Sequence, residues 1–329
     1  MKATLTSKTK IMAVVKADAY GCGAIKMATF LEEESLVDYL GVATCQEALT
    51  LRKAGVSLPL LTFCEPNSET LQDCIEHNIE MSVWSQTSIQ NLAQFPTENT
   101  IKVHLNVNTG MNRVGCELNE LAACVTLIKQ TPHIELTGIY THFACAAESK
   151  SETASQISRF KSALSSVSLS KNVIAHAANS EGAIQYPESH FDMVRVGINS
   201  YMDCVTLEAK VLQVRTIKPG DGVGYDHHFI TQKTTRIATV SMGYEDGIPR
   251  SFNGSVLIQG KEYPVVGHVC MDMCMVDVGK AEIRPGDSVV FTGEQQGATI
   301  PLETFAKHSN RIPYESLCAI GNRIERVYH

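Results

Sequence analysis

Eight short apolar runs rich in β-formers alternate with longer stretches of helical period over the first 200 residues, and this alternation restricts the fold more than any other feature. The runs are 11–16 (IMAVVK), 39–44 (YLGVAT), 59–63 (PLLTF), 79–84 (IEMSVW), 101–107 (IKVHLNV), 134–140 (IELTGIY), 172–176 (NVIAH) and 193–196 (MVRV). Between them, stretches such as 24–34, 45–54, 69–77, 86–92, 117–131 and 152–167 place apolar residues three and four apart, as one face of a helix requires. Eight strands each followed by a helix predict an α/β fold whose first domain, 1–205, is a TIM-like (β/α)8 barrel. Its active site then lies at the C-terminal ends of the strands.

Beyond about residue 205 the texture changes. Closely set β-rich segments punctuated by glycine and proline, among them EAKVLQVRTIKPGDGVGYD, TTRIATVSMGYEDG and RPGDSVVFTG, predict a mostly antiparallel β domain over 206–329. The net charge of -7 and sequence pI near 5.9 come with no basic stripe, which argues against nucleic acid or an anionic membrane surface as partner. No apolar run is long enough to span a bilayer, and residues 1–10 are polar, unlike a signal peptide. The 11 cysteines are dispersed, with no CxxC pair, and read as reduced, mostly buried thiols of a cytoplasmic protein. Cys270 and Cys274 lack the companions a zinc site needs, so no metal is expected.

A barrel lets several strand ends aim polar groups at one place. The first run ends on Lys16, with Tyr20 one turn further on. Asn106 and Arg113 flank the fifth run and its NTGMNRVG loop, and His142 follows the sixth in YTHFA. His176, Asn179 and Ser180 follow the seventh in HAANSEG, while Arg195, Gly197 and Ile198 close the eighth in RVGINSY. Singly, each has an ordinary structural reading: the lysine an ion-pair partner, the histidine a hydrogen-bonded core residue, the arginine a clamp, the glycine a turn. Together they supply an amine able to form a Schiff base, a polar and Gly-Ile cluster able to hold a phosphate, a ring to stack and an arginine for a pyridine nitrogen. That combination describes a pocket for pyridoxal 5'-phosphate, with Lys16 as the amine that binds it.

The motifs AVVKADAYGCG, NTGMNRVG, YTHFA, HAANS, RVGINSY, VGYDHHF, GYEDGIPR and GHVCMDM follow one another along essentially the whole chain. In that set and order the sequence resembles the alanine racemase family. The resemblance implies an N-terminal barrel, a C-terminal β domain, and a head-to-tail homodimer with shared active sites acting on a small amino acid. Matched by motif, it implies Lys16 as cofactor-binding residue and base on one face of the substrate α-carbon, and Tyr225 of the partner subunit as base on the other. Removing a proton from one face and returning it to the opposite face inverts the centre. Arg195 corresponds to the partner of the pyridine nitrogen, where a guanidinium cannot hand over a proton and leaves the ring a weaker electron sink. Tyr20, Ser180, Gly197 and Ile198 correspond to phosphate contacts, His142 to a neighbour of the ring, and Arg113 to an arginine near the cofactor O3'. Met271 corresponds to a backbone contact for the substrate carboxylate, and Asp272 and Tyr244 to entrance residues.

Three departures from the family pattern matter. Members usually carry a strand and a helix ahead of the lysine strand, and this chain begins almost at that strand, as a racemase domain cut from a longer protein would. Asn106 stands where many members have a lysine, often carbamylated, that holds the arginine corresponding to Arg113. An amide cannot carry the carbamate, but it can hydrogen-bond the arginine directly or leave room for an anion. Asn322 in IGNRIER stands where a tyrosine usually touches the phosphate and the small side-chain pocket. The shorter amide opens that pocket and offers a donor and an acceptor. A site that hydrogen-bonds a substrate hydroxyl discriminates far more than one that merely has room for it, so serine, alone or beside alanine, becomes a candidate substrate. In this respect the chain is similar to the catalytic domain of the membrane-linked serine/alanine racemases of vancomycin resistance, and a supply of D-amino acid for peptidoglycan is implied by the resemblance alone. Two other readings stay open, a non-catalytic pyridoxal phosphate-binding protein and an inactive racemase fragment. The β domain and Tyr225 argue against the first. A barrel decarboxylase would pair the pyridine nitrogen with a carboxylate, which Arg195 is not.

Overall fold

The eight runs form eight parallel strands that pair in chain order and close on themselves. They are β1 (Lys10–Val14), β2 (Tyr39–Val42), β3 (Leu60–Thr62), β4 (Glu80–Val83), β5 (Ile101–Asn106), β6 (Ile134–Tyr140), β7 (Ile174–His176) and β8 (Met193–Val196), with β8 returning to pair β1. The computed structural model describes residues 5, 8–197, 201–202 and 204–329 and divides into two units, 1–197 and 198–329. The barrel is the first.

Its strands are buried along nearly their whole length, as a parallel sheet covered by helices demands. The covering helices are α2 (Ala24–Glu33), α3 (Cys45–Lys53), α4 (Leu71–Glu76), α5 (Gln86–Ala93), α6 (Leu121–Gln130), α7 (Lys150–Ser166) and α8 (Ser180–Gln185). The first six fall within a few residues of the periodic stretches. α8 is invisible to periodicity because six residues are too short a window; its start is instead marked by Asn179, whose side chain accepts the Gly182 N–H at 2.9 Å. α3 begins with a capping box in which Thr44 and Glu47 satisfy each other's backbone donors. Between β1 and α2 lies α1 (Lys16–Tyr20), a single turn.

One irregularity in the barrel wall bears on the site. The β5–β6 register steps from Val103↔Leu136 to His104↔Gly138, so Thr137 is an extra residue on β6. A bulge of this kind re-aims side chains locally. It sets Gly138 opposite His104.

The second unit is antiparallel, as the sequence predicts. β9 (Leu207–Ile217), β12 (Thr235–Val240), β13 (Ser255–Ile258), β14 (Lys261–Val266), β15 (Cys274–Gly279), β16 (Ser288–Gln295) and β17 (Ala298–Ile300) run in the order β13-β14-β15-β12-β9-β16-β17, and β13 also pairs β16, closing most of the sheet. A two-stranded ladder of β10 (Gly222–Val223) and β11 (Phe229–Ile230) is anchored by Val223 and Phe229 on a core of Ile237, Val266 and Met275. Two helices that turn-rich texture does not reveal, α9 (Leu302–His308) and α10 (Pro313–Cys318), follow the last strand. No helix among the described residues is long and apolar enough to cross a membrane.

Candidate active site

The strand carrying Lys16 ends sooner than the apolar run suggests. β1 stops at Val14, the Val15 N–H bonds the Gly41 carbonyl at 2.9 Å, and the chain then winds left-handed through Ala17, Asp18, Ala19 and Tyr20, with φ of 52°, 53°, 53° and 56°. Each non-glycine residue in that region costs about 1–2 kcal/mol, so four in a row need compensation. Glu47 supplies part of it: one carboxylate oxygen accepts the Ala17 N–H at 2.8 Å and the other the Ala43 N–H at 2.7 Å. Asp18 supplies more, its side chain accepting from the Ala24 N–H at 2.7 Å and its carbonyl from the Gly23 N–H at 2.8 Å. The outcome is a half-buried Lys16 at the C-terminal mouth and a Tyr20 folded back into the barrel.

Tyr20 meets the far end of the sequence motif there. A Cβ placed on Gly197 would lie 2.4 Å from the Tyr20 hydroxyl, an impossible contact, so only glycine lets the two approach. The Gly197 N–H in turn donates to the Ser180 hydroxyl at 2.9 Å. Two hydroxyls and a side-chain-free backbone segment thus meet at one place, a set that fits the phosphate of pyridoxal phosphate. Ile198 lies outside the described residues.

Arg195, on β8, is 3% exposed. Its Nη1 faces His176 Nδ1 at 2.9 Å, and its Nη2 donates to the carbonyls of Thr141 at 2.8 Å and Ala177 at 3.0 Å and lies 3.2 Å from His142 Nδ1. Burial pulls the guanidinium down to about 10, which leaves it charged at neutral pH. Burial, then the charges of Arg195, Arg113 and Lys16, push His142 down to about 3, so its imidazole is neutral. Arg195 touches His142, and the charges of Arg113 and Lys16 reach it as well, although Arg113 itself is exposed on the loop after β5. The buried Asn106 ends β5 level with Tyr140 at the end of β6, and its amide acts on the Tyr140 hydroxyl.

Behind Arg195 runs a chain of polar residues that strand-end reasoning missed. His176 Nε2 is 2.9 Å from His104 Nδ1, and His104 Nε2 is 2.6 Å from Glu80 Oε2. Thr137 donates to the same Glu80 oxygen at 3.0 Å. The Tyr140 ring stacks on His176 at 4.9 Å and 9°, and its hydroxyl meets Ser82 at 2.9 Å. The available signal was a glutamate and a histidine inside otherwise apolar strands, in IEMSVW and IKVHLNV.

The second unit gathers the remaining candidates. Tyr225, 66% exposed, heads the turn between β10 and β11. His228 of that turn stacks on His268 at 4.2 Å, beside the loop that carries Met271 and Asp272. The Tyr244 N–H donates to the Cys270 carbonyl at 3.0 Å and the Glu245 N–H to the Met271 carbonyl at 3.1 Å. Arg323 bridges Asp246, at 2.6 and 3.0 Å, and Asp272, at 2.8 Å, and so holds the neighbouring Asn322, which is exposed, beside the same loop. Among the described residues no group of side chains could hold a metal ion.

A strand-end lysine beside an anion cradle and a buried arginine, all on one barrel mouth, define a pocket of the pyridoxal phosphate type. Known proteins narrow this further. The family description Alanine racemase, N-terminal domain, matches residues 1–204, and Alanine racemase, C-terminal domain, matches residues 204–328. The alanine racemase of Methanococcus maripaludis is 37% identical over 348 aligned residues, covering 98% of this chain and 92% of that protein. The solved alanine racemase of Clostridium difficile has a TM-score of 0.90 at 34% identity, covering 100% of this chain and 91% of its own. That of Bacillus anthracis, with bound L-Ala-P, has a TM-score of 0.90 at 30% identity, covering 98% and 89%. The chain belongs to the alanine racemase family, whose members depend on pyridoxal phosphate.

Two expectations follow from the geometry. Gly197→Ala should close the cradle: overpacking of this kind costs about 1–3 kcal/mol, so the Kd for pyridoxal phosphate, measured by fluorescence titration, should rise by about tenfold or more. The second concerns acid. His142 and His176 are both held neutral by burial and by Arg195, well below the ordinary value of 6.5. On unfolding each regains that value and takes up a proton at lower pH, so the unfolded state binds more protons. Stability measured by urea denaturation should therefore fall as pH drops from about 6.5 toward 4.5, by about 1.4 kcal/mol per pH unit for each imidazole once the pH is well below 6.5.

Proposed function

We propose that this protein interconverts L- and D-alanine with pyridoxal phosphate, as a cytoplasmic homodimer whose active sites are shared between subunits. In this reading, 1–205 is the cofactor domain and 206–329 the domain that completes the partner's site. The convergence of Lys16, the Tyr20–Ser180–Gly197 cradle and Arg195 on one barrel mouth carries it. When bound, the cofactor supplies an aldehyde for condensation with an amine and a ring that spreads the negative charge left at the α-carbon.

The chain's own residues do the rest. Lys16 anchors the cofactor and then, as a free amine, takes or returns the α-proton on one face, while Tyr225 of the partner subunit serves the opposite face. The exposure of Tyr225 suits a side chain that acts on a neighbouring molecule. Arg195 would hold the ring nitrogen, since its contacts with His176, Thr141, Ala177 and His142 run through Nη1 and Nη2 and do not use its Nε–H. Because it stays charged and gives no proton away, it limits charge delocalisation into the ring and so disfavours competing reactions. Tyr20, Ser180, Gly197 and Ile198 hold the phosphate, His142 borders the ring, and Arg113 orients the substrate. The Met271 carbonyl accepts from the Glu245 N–H, which steadies this stretch of backbone, and the Met271 N–H meets the substrate carboxylate, with Tyr244 and Asp272 bordering the entrance.

Asn322 favours a second substrate. An exposed amide on a segment tied down through Arg323 offers a donor and an acceptor for the hydroxyl of serine, which a tyrosine at that position would crowd out.

The test reads α-deuterium incorporation with inversion for L-alanine and L-serine in D2O. Lys16→Ala and Tyr225→Phe should each abolish it, and statistical mixing of the two variants should restore about a quarter of the wild-type activity, because half the dimers then hold one intact shared site. No recovery on mixing would overturn the shared site. Asn322→Tyr should shift activity from serine toward alanine, and inversion confined to alanine in both proteins would remove the serine reading. Absence of exchange on either substrate would leave a binding protein or an inactive fragment.

A further inference from the structure

The chain Glu80, His104, His176, Arg195 crosses the barrel interior between strands β4, β5, β7 and β8, and its ends differ in a way that determines everything between them. Arg195 can only donate. His176 Nδ1, 2.9 Å from its Nη1, must therefore be the unprotonated nitrogen. A neutral His176 then carries its proton on Nε2 and donates it to His104 Nδ1, 2.9 Å away. His104 Nδ1 being an acceptor, its proton sits on Nε2 and goes to Glu80 Oε2 at 2.6 Å. Any other placement sets two protons against each other or leaves His176 with none. Both imidazoles are neutral single tautomers, and the terminal acceptor is a carboxylate that also accepts from Thr137 at 3.0 Å.

The backbone is built for this contact. His104 and His176 lie on β5 and β7, separated by β6, and they meet only because β6 presents Gly138 between them. A Cβ there would lie 2.2 Å from His104 Nδ1. The extra residue Thr137 sets that glycine in register with His104.

We propose that Glu80 and His104 are positioning residues for the reaction at Arg195: by accepting in turn they hold the His176 ring in place, so that its Nδ1 keeps the guanidinium in one orientation with its Nε–H free to meet the cofactor ring. The inference rests on the reading of Arg195 as the ring-nitrogen partner. Without the acceptor at Glu80, the His104 Nε2–H is left buried and unpaired, and the ring turns away from its present place. The His176 Nε2–H then loses its acceptor on His104, and the His176 ring is no longer held against Arg195. The guanidinium loses that anchor although neither His176 nor Arg195 has changed.

The experiment is 15N NMR of histidine-labelled holoenzyme, with steady-state kinetics and the absorption spectrum of the bound cofactor, for wild type, Glu80→Leu, Glu80→Gln and Gly138→Ala. The wild type should show His104 and His176 as neutral Nε2–H tautomers. Glu80→Leu should shift the His104 Nδ1 and His176 Nε2 resonances as the hydrogen bond between them is lost, shift the cofactor absorption and lower kcat by roughly 10-fold to 100-fold, the size expected for loss of an orienting outer contact, with KM within about twofold. Glu80→Gln keeps an acceptor oxygen and should restore most of the rate and the wild-type resonances. Gly138→Ala removes no titratable group, yet by displacing the His104 ring it should reproduce the loss in Glu80→Leu. A wild-type His176 found as the Nδ1–H tautomer or as imidazolium would overturn the proposal, as would an unchanged kcat in Glu80→Leu with the His176–His104 hydrogen bond lost. The resonance readout needs no racemase activity, so failure of the relay and failure of the functional reading are separable.

Discussion

A guanidinium at 3% exposure governs the interior of the barrel. An isolated charge in such a place is prohibitive, and it persists only if its donors are met and a countercharge is within reach. The two carbonyls opposite Nη2 and the imidazole opposite Nη1 meet the donors. The countercharge is Glu80, kept at a distance by two neutral imidazoles. Burial works against the Glu80 carboxylate, but its hydrogen bond with His104 and that from Thr137 hold it below the ordinary carboxylate range. An acid in direct contact would neutralise Arg195 and take its donors, whereas the relay stabilises the charge and leaves the Nε–H for a ligand. Tyr140, stacked on His176 with its hydroxyl tied to Ser82, closes the remaining side of the cluster.

The mouth of the barrel is built on strain rather than on charge alone. Four successive left-handed residues after Lys16 are tolerated because Glu47 and Asp18 collect the backbone donors that the turn exposes. Glu47 does this while capping α3, so the second βα unit holds the turn that leaves the first strand. The reward is reach: a strand continuing past Val14 would carry Tyr20 away from the mouth, whereas the reversed turn brings its hydroxyl against Gly197, at the end of the neighbouring strand β8. Strain of this kind is characteristic of binding sites, where the surrounding structure over-determines a disfavoured conformation.

In the second unit the same economy appears at the surface. Arg323 joins two carboxylates from different loops, and the Tyr244 and Glu245 N–H groups lock onto the 270–271 carbonyls, so three segments distant in sequence present Tyr244, Met271, Asp272 and Asn322 together. Tyr225 stands beside them on a ladder anchored by apolar packing, not by its ion pair, since the Asp226–Arg250 contact is exposed and contributes little.

Local pattern was enough for the order of elements, the barrel, the antiparallel character of the second unit and the residue types at strand ends, because periods of 2 and 3.6 and turn chemistry act over a few residues. Lys16, Arg195 and Gly197 could be picked out for the same reason, each lying on a strand or within two residues of its end, and Tyr20 and Ser180 from the short segments that follow β1 and β7. Glu80 and His104 were not, since within their own strands they are merely polar interruptions, and their meaning arises only when β4, β5 and β7 curve toward a common axis. The left-handed turn was equally hidden, because nothing in Ala17–Asp18–Ala19 favours positive φ; the partner that sustains it, Glu47, is 30 residues away. What the chain determined by itself was which elements form and where chemistry could sit. The closure of the barrel decided which protons those groups carry and which way they point, because hydrogen-bond direction depends on contacts between strands that no local segment contains.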